Sequence, residues 1–253
     1  MFKTLAAIRT TLAVSGLVLA SASANAINIT LPTTNLDAEA VFSFSNDAVD
    51  LFGLTGTSVS ALGNTKAEGS SGWSFMMPVT EVTLNASIFP LGLSPVAGEA
   101  SGSGLLIQKT TGSYVGSLAL SNFTLDFKRN VMLADFTSRS GTVAQFDLFS
   151  FQVKEGLHVS TNGGLSMAMN LEDMTLTTGA QAQFISALKL KSFESIALPG
   201  LNFGSLDIAI SPSLRFGVSD KPLVAAVPEL STWAMLAAGM FGIAFVSRRK
   251  LAA

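Results

Sequence analysis

The feature that most constrains the fold of this chain is a two-residue alternation of apolar side chains with polar or small ones. Leu118 and Leu120 begin one such run, and Phe123 and Leu125 continue it in the opposite phase. Successive side chains of a β-strand point to opposite faces, so this period predicts strands with one face in a core. The change of phase at 121–122 predicts a β-bulge or tight bend, because a one-residue slip turns every later side chain to the other face.

Turn signals separate further runs of this kind. The polar residues 128–130 predict a short turn between two strands, and Asn162-Gly163-Gly164 is typical of a hairpin. Helical periodicity is confined to 181–190 (QAQFISALKL), where Phe184 and Leu188 fall on one face. We therefore expect a mainly β fold, an antiparallel β-sandwich or barrel-like body.

Composition excludes several classes of protein. The 253 residues include no Cys, so a disulfide scaffold and a Cys-based zinc or redox site are excluded. Low charge (13%) and high hydrophobic content (48%) are the reverse of what disorder requires. Residues 27–226 hold 10 basic and 16 acidic residues, a net charge of about −6. Without a basic excess, nucleic acid is not an expected partner.

The first 26 residues have the layout of a secretory signal peptide. Lys3 and Arg9 give a positive start, and Leu12–Leu19 form a short apolar stretch. Ala24 and Ala26 then make a small-x-small site for signal peptidase. We expect an N-terminal signal helix, cleavage after Ala26 and export across the inner membrane. An N-terminal membrane anchor is the alternative.

The C-terminal end combines a short box, an apolar run and a basic terminus. The box is VPELSTW at 227–233, and 18 uncharged residues lie between Glu229 and Arg248. That length is near the lower limit for a helix that crosses a bilayer. Trp233 suits one interface, and the basic cluster 248–250 suits the cytoplasmic side. We therefore expect a C-terminal transmembrane helix with its basic end inside.

This tripartite tail resembles the PEP-CTERM sorting signal of Gram-negative bacteria that make extracellular polysaccharide. The residues that fit its box and basic end are Val227, Pro228, Glu229, Ser231, Thr232, Trp233, Arg248, Arg249 and Lys250. Leu230 stands where that family has a second Pro. The resemblance implies an exosortase, a membrane-embedded cysteine transpeptidase, as a partner that cleaves near the box. A permanent tail anchor without processing is the alternative.

A second, fainter resemblance covers residues 75–151. The segments that carry it are Phe75–Thr80, Gly102–Leu105, Leu118–Phe123 and Leu133–Thr137, which look like the β-rich HtaA-type domain. Members of that family on actinobacterial surfaces bind haem through a tyrosine. The one tyrosine of this chain, Tyr114, does not fall on that ligand motif. The resemblance adds to the β expectation and leaves haem as a minor alternative ligand.

Residue types that carry catalysis are scattered along the chain. His158 is the only histidine, no Gly-x-Ser-x-Gly elbow accompanies it, and we interpret it as an outward strand residue. Ser186 and Lys189 match Ser-x-x-Lys, but the companion motifs of that chemistry are absent from the sequence. Glu172 and Asp173 are adjacent, so a strand would point them to opposite faces. We predict no catalytic residues and no enzyme; a hydrolase that uses distant carboxylates stays open.

Candidate binding features also have a plain structural interpretation. Asn46, Asp47 and Asp50 offer oxygen atoms to Ca²⁺ but lack a dense loop spacing, and we favour a solvated turn. Gly98–Gly104 (GEASGSG) reads as a flexible connection rather than a phosphate loop. Trp73 is either a core anchor, which we favour, or a sugar-stacking platform. We predict no metal and no cofactor.

These observations divide the chain into five parts: a signal peptide (1–26), a β-rich exported domain (27–218), a linker (219–226), the sorting signal with its transmembrane helix (227–250) and a tail (251–253). We expect the protein to be membrane-anchored before processing, and a component of the cell surface or extracellular matrix after it. Its expected role is structural or adhesive in biofilm, with exopolysaccharide as a further partner. The alternative is a surface module that binds a polysaccharide or haem.

Overall fold

The computed structural model describes residues 27–226 except 89–90, 112–113 and 162–165. These residues form twelve strands and three helices. In chain order the elements are β1 (Ile27–Pro32), β2 (Leu36–Phe44), α1 (Asn46–Thr55), β3 (Thr57–Gly63), β4 (Lys66–Glu68), β5 (Ser74–Pro78), β6 (Glu81–Ile88), β7 (Leu91–Thr111), β8 (Tyr114–Asp126), β9 (Val131–Ser138), β10 (Gly141–Ser160), β11 (Ser166–Leu176), α2 (Thr178–Leu188), α3 (Ser192–Ser195) and β12 (Gly204–Leu214).

All twelve strands belong to one antiparallel sheet. Its order is β1-β6-β7-β8-β9-β10-β11-β12-β2-β5-β4, and β3 pairs with β7 beside this path. Strands β6 to β12 follow one another as a meander, and the β12–β2 pair joins the two ends of the described chain. The sheet curls into a half-barrel around one hydrophobic core. The mainly β, antiparallel, barrel-like expectation is confirmed, whereas the two separate sheets of a sandwich are not what the described strands form.

β-bulges lie where the alternation changes phase. In β8 the register slips between Ser121 and Thr124, and Asn122 between them has a left-handed φ of 53°. In β10 the register slips between Val143 and Phe146, where Gln145 has φ of 48°. Asn tolerates this conformation better than most residues, because its short polar side chain can hydrogen-bond locally. The bulge predicted at 121–122 is therefore confirmed.

The helices cover one end of the half-barrel and pack on a cluster of phenylalanines. The ring of Phe203 lies 5.4 Å from that of Phe149 and 6.4 Å from that of Phe184 in α2. The Thr177 hydroxyl accepts a hydrogen bond from the backbone N–H of Ala180 and so caps the start of α2. The predicted helix over 181–190 is confirmed in type, and the side chain of Leu188 is buried as expected.

Two interpretations from the sequence are wrong. Residues 46–50 form the first half of α1 rather than a solvated turn, because the Ser45 hydroxyl caps the helix and Phe52 is buried on one of its faces. Residues 98–104 lie within β7 rather than in a flexible connection. Gly102 there has φ of 75° at a register slip, so the Gly-rich sequence serves a bulge inside a strand.

A buried ion pair fastens the short helix α3 to the sheet. The Lys109 ammonium of β7 lies 2.5 Å from the Glu194 carboxylate, and both side chains are buried. The same carboxylate oxygen accepts the backbone N–H of Lys191. Burial raises the pKa of Glu194, but the hydrogen bonds from Lys109 and Lys191 outweigh it, and the pKa lies below its usual range.

Residues 219–223 run along the outer face of the sheet. The Asn122 side-chain amide accepts the backbone N–H of Leu223 at 2.7 Å and donates to its carbonyl at 3.0 Å. The Asn64 amide donates to the Ser219 carbonyl at 2.7 Å. Two asparagine side chains therefore hold this segment through its backbone.

The targeting segments predicted from the sequence lie outside the described residues. These are 1–26, with Ala24 and Ala26, and 227–250, with the whole sorting box and Arg248, Arg249 and Lys250. Within the described ranges no helix combines the length and the apolar character that crossing a bilayer requires.

Candidate apolar-ligand cleft

The end of the half-barrel away from the helices contains an apolar cavity of about 50 Å³. Met77, Phe123 and Met132 separate it from the phenylalanine cluster, since they line both this cavity and the smaller one beneath α2. The cavity lies between strands β6–β8 on one side and β10–β12 with β2 on the other. We call it the cleft.

The first wall of the cleft comes from β6 and β7. Val82 and Leu84 are buried on the inner face of β6, and Val82 pairs with Gly98 of β7. Gly98 in turn pairs with Leu125 of β8, so the missing side chain at 98 leaves space between two apolar residues. A Cβ placed on Gly98 would meet only Leu125 Cδ1, at 3.8 Å. The glycine therefore maintains part of the cavity.

The second wall comes from the β10–β11 hairpin and β12. Met167 and Met169 of β11 are buried on the inner face and pair with Ile210 and Ile208 of β12. Leu157 of β10 lies next to them at the mouth and is half-buried. Methionine side chains are flexible and polarisable, so they adapt to apolar groups of different shape.

Exposed apolar residues extend both walls beyond the cavity. Ile29 of β1 pairs with Leu84 and is 42% exposed, and Val159 pairs with Met167 and is 37% exposed. Directly paired residues project from the same face of a sheet, so these side chains continue the inner face. Ile27 and Leu93, 55% and 42% exposed, continue it further through their common neighbour Ala86. The cleft therefore opens onto an apolar rim.

The sheet face opposite the first wall carries acidic groups. Glu81 of β6 and Glu99 of β7 are directly paired, on the face away from Val82 and Gly98. Partial burial and the nearby Glu81 carboxylate raise the pKa of Glu99. The Glu99 carbonyl accepts the backbone N–H of Thr80 at 2.8 Å, which ties the β5–β6 connection to β7. Glu99 is nevertheless one of the residues that line the cavity, so the cleft lies next to this acidic pair.

The structure keeps the sequence-predicted candidates for catalysis apart from one another. His158 is exposed on β10, as interpreted, beside a shallow outer groove. Glu172 pairs with Lys154 at 3.0 Å, and Asp173 accepts from the Asn202 amide. Ser186 lies in α2 and Lys189 follows it. Among the described residues no group of three or more His, Asp or Glu side chains could hold a metal.

The two aromatic candidates have different outcomes. Trp73 is half-buried and stacks on Phe52 of α1, with centroids 5.6 Å apart and rings inclined by 22°. It packs against the core, so the interpretation of Trp73 as a core anchor is confirmed. Tyr114 begins β8, but its side chain lies outside the described part of the chain. The residues that line the cleft, within the described ranges, include neither His nor Tyr.

The sequence did not indicate the cleft as a site. Leu157 and Met167 were predicted to lie on one hairpin, and Gly98 was predicted to lie in a flexible connection. A cavity arises only where walls distant in sequence face each other, and no local pattern reports that. The signal that was present is an apolar strand face that continues into exposed residues, as at Ile27 and Ile29.

Comparison with known proteins gives distant likenesses. No known protein family matches the sequence, and no curated protein matches it. The C-terminal domain of HtaA from Corynebacterium glutamicum is similar in structure, with 10% identity over 70% of this chain and 97% of that one and a TM-score of 0.40. The haem-binding protein HtaB from Corynebacterium glutamicum has 12% identity, coverage of 76% and 98%, and a TM-score of 0.42.

Both structures are of the HtaA/HtaB type that residues 75–151 resemble. TM-scores of 0.40 and 0.42 are too low for these likenesses to carry an argument about function. The geometry of the cleft is therefore the basis for a functional proposal. None of the comparisons matches the PEP-CTERM signal, so that resemblance stays a prediction.

Proposed function

We propose that this chain is an exported module without catalytic activity that binds the apolar chain of a ligand in the cleft. The observation that carries the proposal is the cavity of about 50 Å³ between β6–β8 and β10–β12, which opens onto an exposed apolar rim. Concave, mostly apolar pockets are the usual sites of small-molecule binding. Exposed apolar patches that continue such a pocket mark surfaces used in binding.

The dimensions favour a narrow, elongated ligand. Pockets that enclose a compact drug-sized ligand measure roughly 300–1,000 Å³, far more than this cavity. An alkyl or acyl chain can enter end-on, while the part that does not fit lies along Ile29, Leu93 and Val159 on the rim. Each methylene buried from water contributes about 0.8 kcal/mol, so a few methylenes give measurable affinity.

Export is the second part of the proposal and rests on the sequence alone. Residues 1–26 are the proposed signal peptide, and 227–250 the proposed exosortase signal. Intact mass and C-terminal peptide mapping of the protein from its native cells test this part. A chain that begins at Ile27 and ends near Pro228-Glu229 supports sorting, whereas a chain that retains Arg248-Arg249-Lys250 is tail-anchored.

A titration with palmitate, followed calorimetrically, tests the cleft. Gly98→Val fills the cavity from β7, where the new Cβ meets one atom at 3.8 Å. Gly156→Val is the matched control, because Gly156 is exposed on β10 and its added Cβ meets no atom within 4 Å. We expect wild type and Gly156→Val to bind equally, and Gly98→Val to lose at least tenfold in affinity. Equal binding by all three chains contradicts the proposal.

Binding measurements on the same three chains can also favour one of two other roles. Haem binding, with a Soret band that Gly98→Val leaves unchanged, would place a ligand site elsewhere in the chain. The absence of binding to palmitate and haem, combined with retention in isolated matrix, would favour the structural or adhesive role. The expectation that the chain is not an enzyme stays a prediction, which screening on esters and polysaccharides tests.

A further inference from the structure

Among the described strands, the first one has a partner along only one of its two edges. β1 is the terminal strand of the sheet, and among the described strands it pairs only with β6. That ladder runs without a register slip from Ile27↔Ala86 to Pro32↔Glu81. Backbone N–H and C=O groups on the far side of β1 are therefore aligned for another strand.

The edge at the opposite end of the sheet is protected, and β1 is not. Natural edge strands avoid unwanted pairing by being short, by carrying charge or by bulging. β4 has three residues and carries Lys66 and Glu68, both exposed. β1 has six residues (INITLP), no charge and no bulge, and Pro32 interrupts its donors only at the last position. Apart from Pro32 at its end, this edge lacks the features that prevent pairing.

The sequence of β1 is complementary to itself when two copies run antiparallel. With Ile29 opposite Ile29 of the other copy, Ile27 falls opposite Leu31, and Asn28 opposite Thr30. Residues two apart share a face, so this register places apolar side chains beside apolar ones and polar beside polar. A two-fold axis through Ile29 makes the contact isologous and closed.

We infer that a second copy of this chain docks on β1, so that two sheets join edge to edge about a two-fold axis. The pairing uses the backbone edge and leaves the inner face of each β1 directed toward its own cleft. The apolar rims of the two copies then become continuous. This inference does not depend on ligand binding, and failure of the palmitate titration would leave it intact.

Single-cysteine crosslinking tests the register, because the chain has no native cysteine. In the full chain Ile29→Cys places two thiols opposite each other across the axis, within the Cα separation of 4.5–5.5 Å that paired strands and disulfides share. Leu54→Cys is the control for random collision, since Leu54 is highly exposed in the last turn of α1 and is not part of the β1 edge. A thiol oxidant is added so that the result does not depend on export.

Thr30→Cys with Thr83→Cys is the control for folding and oxidation. Thr30 and Thr83 are paired on β1 and β6, and their hydroxyls lie 3.0 Å apart, so this pair closes a bond within one chain. We expect Ile29→Cys to form a covalent dimer at least tenfold faster than Leu54→Cys. Equal rates for Ile29→Cys and Leu54→Cys, in a preparation where the Thr30–Thr83 pair closes, overturn the inference.

Sedimentation of the native sequence provides a second measurement. We expect a concentration-dependent dimer, and we expect Ile29→Lys to shift it to monomer, because two ammonium groups would face each other at the axis. A wild-type chain that stays monomeric at the highest concentration reached would also overturn the inference.

Discussion

Removing the carboxylate of Glu194 should destabilise the fold far more than its position on a four-residue helix suggests. Lys109 and Glu194 are 3% and 6% exposed, and the Glu194 oxygen also accepts the Lys191 backbone N–H. Glu194→Leu leaves the Lys109 ammonium buried without a counter-charge. Breaking a buried pair from one side costs about 3–5 kcal/mol, against about 0–1 kcal/mol for a surface pair. We therefore expect a loss of about 3–5 kcal/mol in the free energy of unfolding.

The double variant separates the burial of charge from the packing of the site. Lys109→Met with Glu194→Leu removes both charges and keeps apolar volume. Replacing a buried pair by apolar residues is often neutral or stabilising. We expect the free energy of unfolding of the double variant to be within about 1 kcal/mol of the wild-type value, or higher than it. This holds although the double variant contains Glu194→Leu, which is costly alone.

The effect of Glu194→Leu should depend on pH. The folded-state pKa of Glu194 lies below its usual value, so the stabilisation is fully present above the unfolded-state pKa of about 4.3 and is lost as the pH falls through the folded value. The difference in the free energy of unfolding between wild type and Glu194→Leu should therefore become smaller in acid. Urea unfolding at pH 7 and at pH 3 measures it. A gap below about 1 kcal/mol at pH 7 would refute the reasoning, because that is the value of an exposed pair.

Three further predictions concern the cleft, the contact of residues 219–223 with the sheet, and the core. Gly98→Val should raise the free energy of unfolding by up to about 1 kcal/mol, since about 24 cal/mol is recovered for each Å³ of the 50 Å³ cavity that is filled; urea unfolding beside Gly156→Val measures this. Asn122→Ala should cost about 2–4 kcal/mol and speed hydrogen exchange at Leu223, because it removes buried hydrogen bonds at a left-handed position; unchanged exchange at Leu223 would contradict the contact. Trp73→Ala should cost about 3 kcal/mol in thermal unfolding through its contact with Phe52, whereas a cost below about 0.5 kcal/mol would indicate an exposed platform.

The elements that sequence analysis predicted are those with a local cause. The hairpin at 157–169 follows from alternation on both sides of Asn162-Gly163-Gly164, and the bulge near Asn122 from a change of phase. Helix α2 followed from the spacing of Phe184 and Leu188. Each of these signals lies within a few residues, so a single strand or turn carries it.

The elements that were missed depend on distant partners. Helix α1 has one buried aromatic residue, Phe52, and its stability comes from packing against Trp73 and Phe203. The Gly-rich stretch of β7 forms a strand because β6 and β8 pair with it on both sides. Lys109 is buried because Glu194 meets it 85 residues later in the chain. Local composition reports none of these contacts.

The measurement that tests the cleft most directly is a titration observed at the methionine methyl groups. Met167 and Met169 line the cleft, whereas Met174 is buried outside it and Met76 precedes the cleft residue Met77 on the opposite face of β5. With methyl-labelled methionine and palmitate as the probe, the proposed function predicts saturable shifts at Met167 and Met169, and small ones at Met174 and Met76. Shifts of equal size at all four methyl groups, or none at any of them, would contradict binding in the cleft.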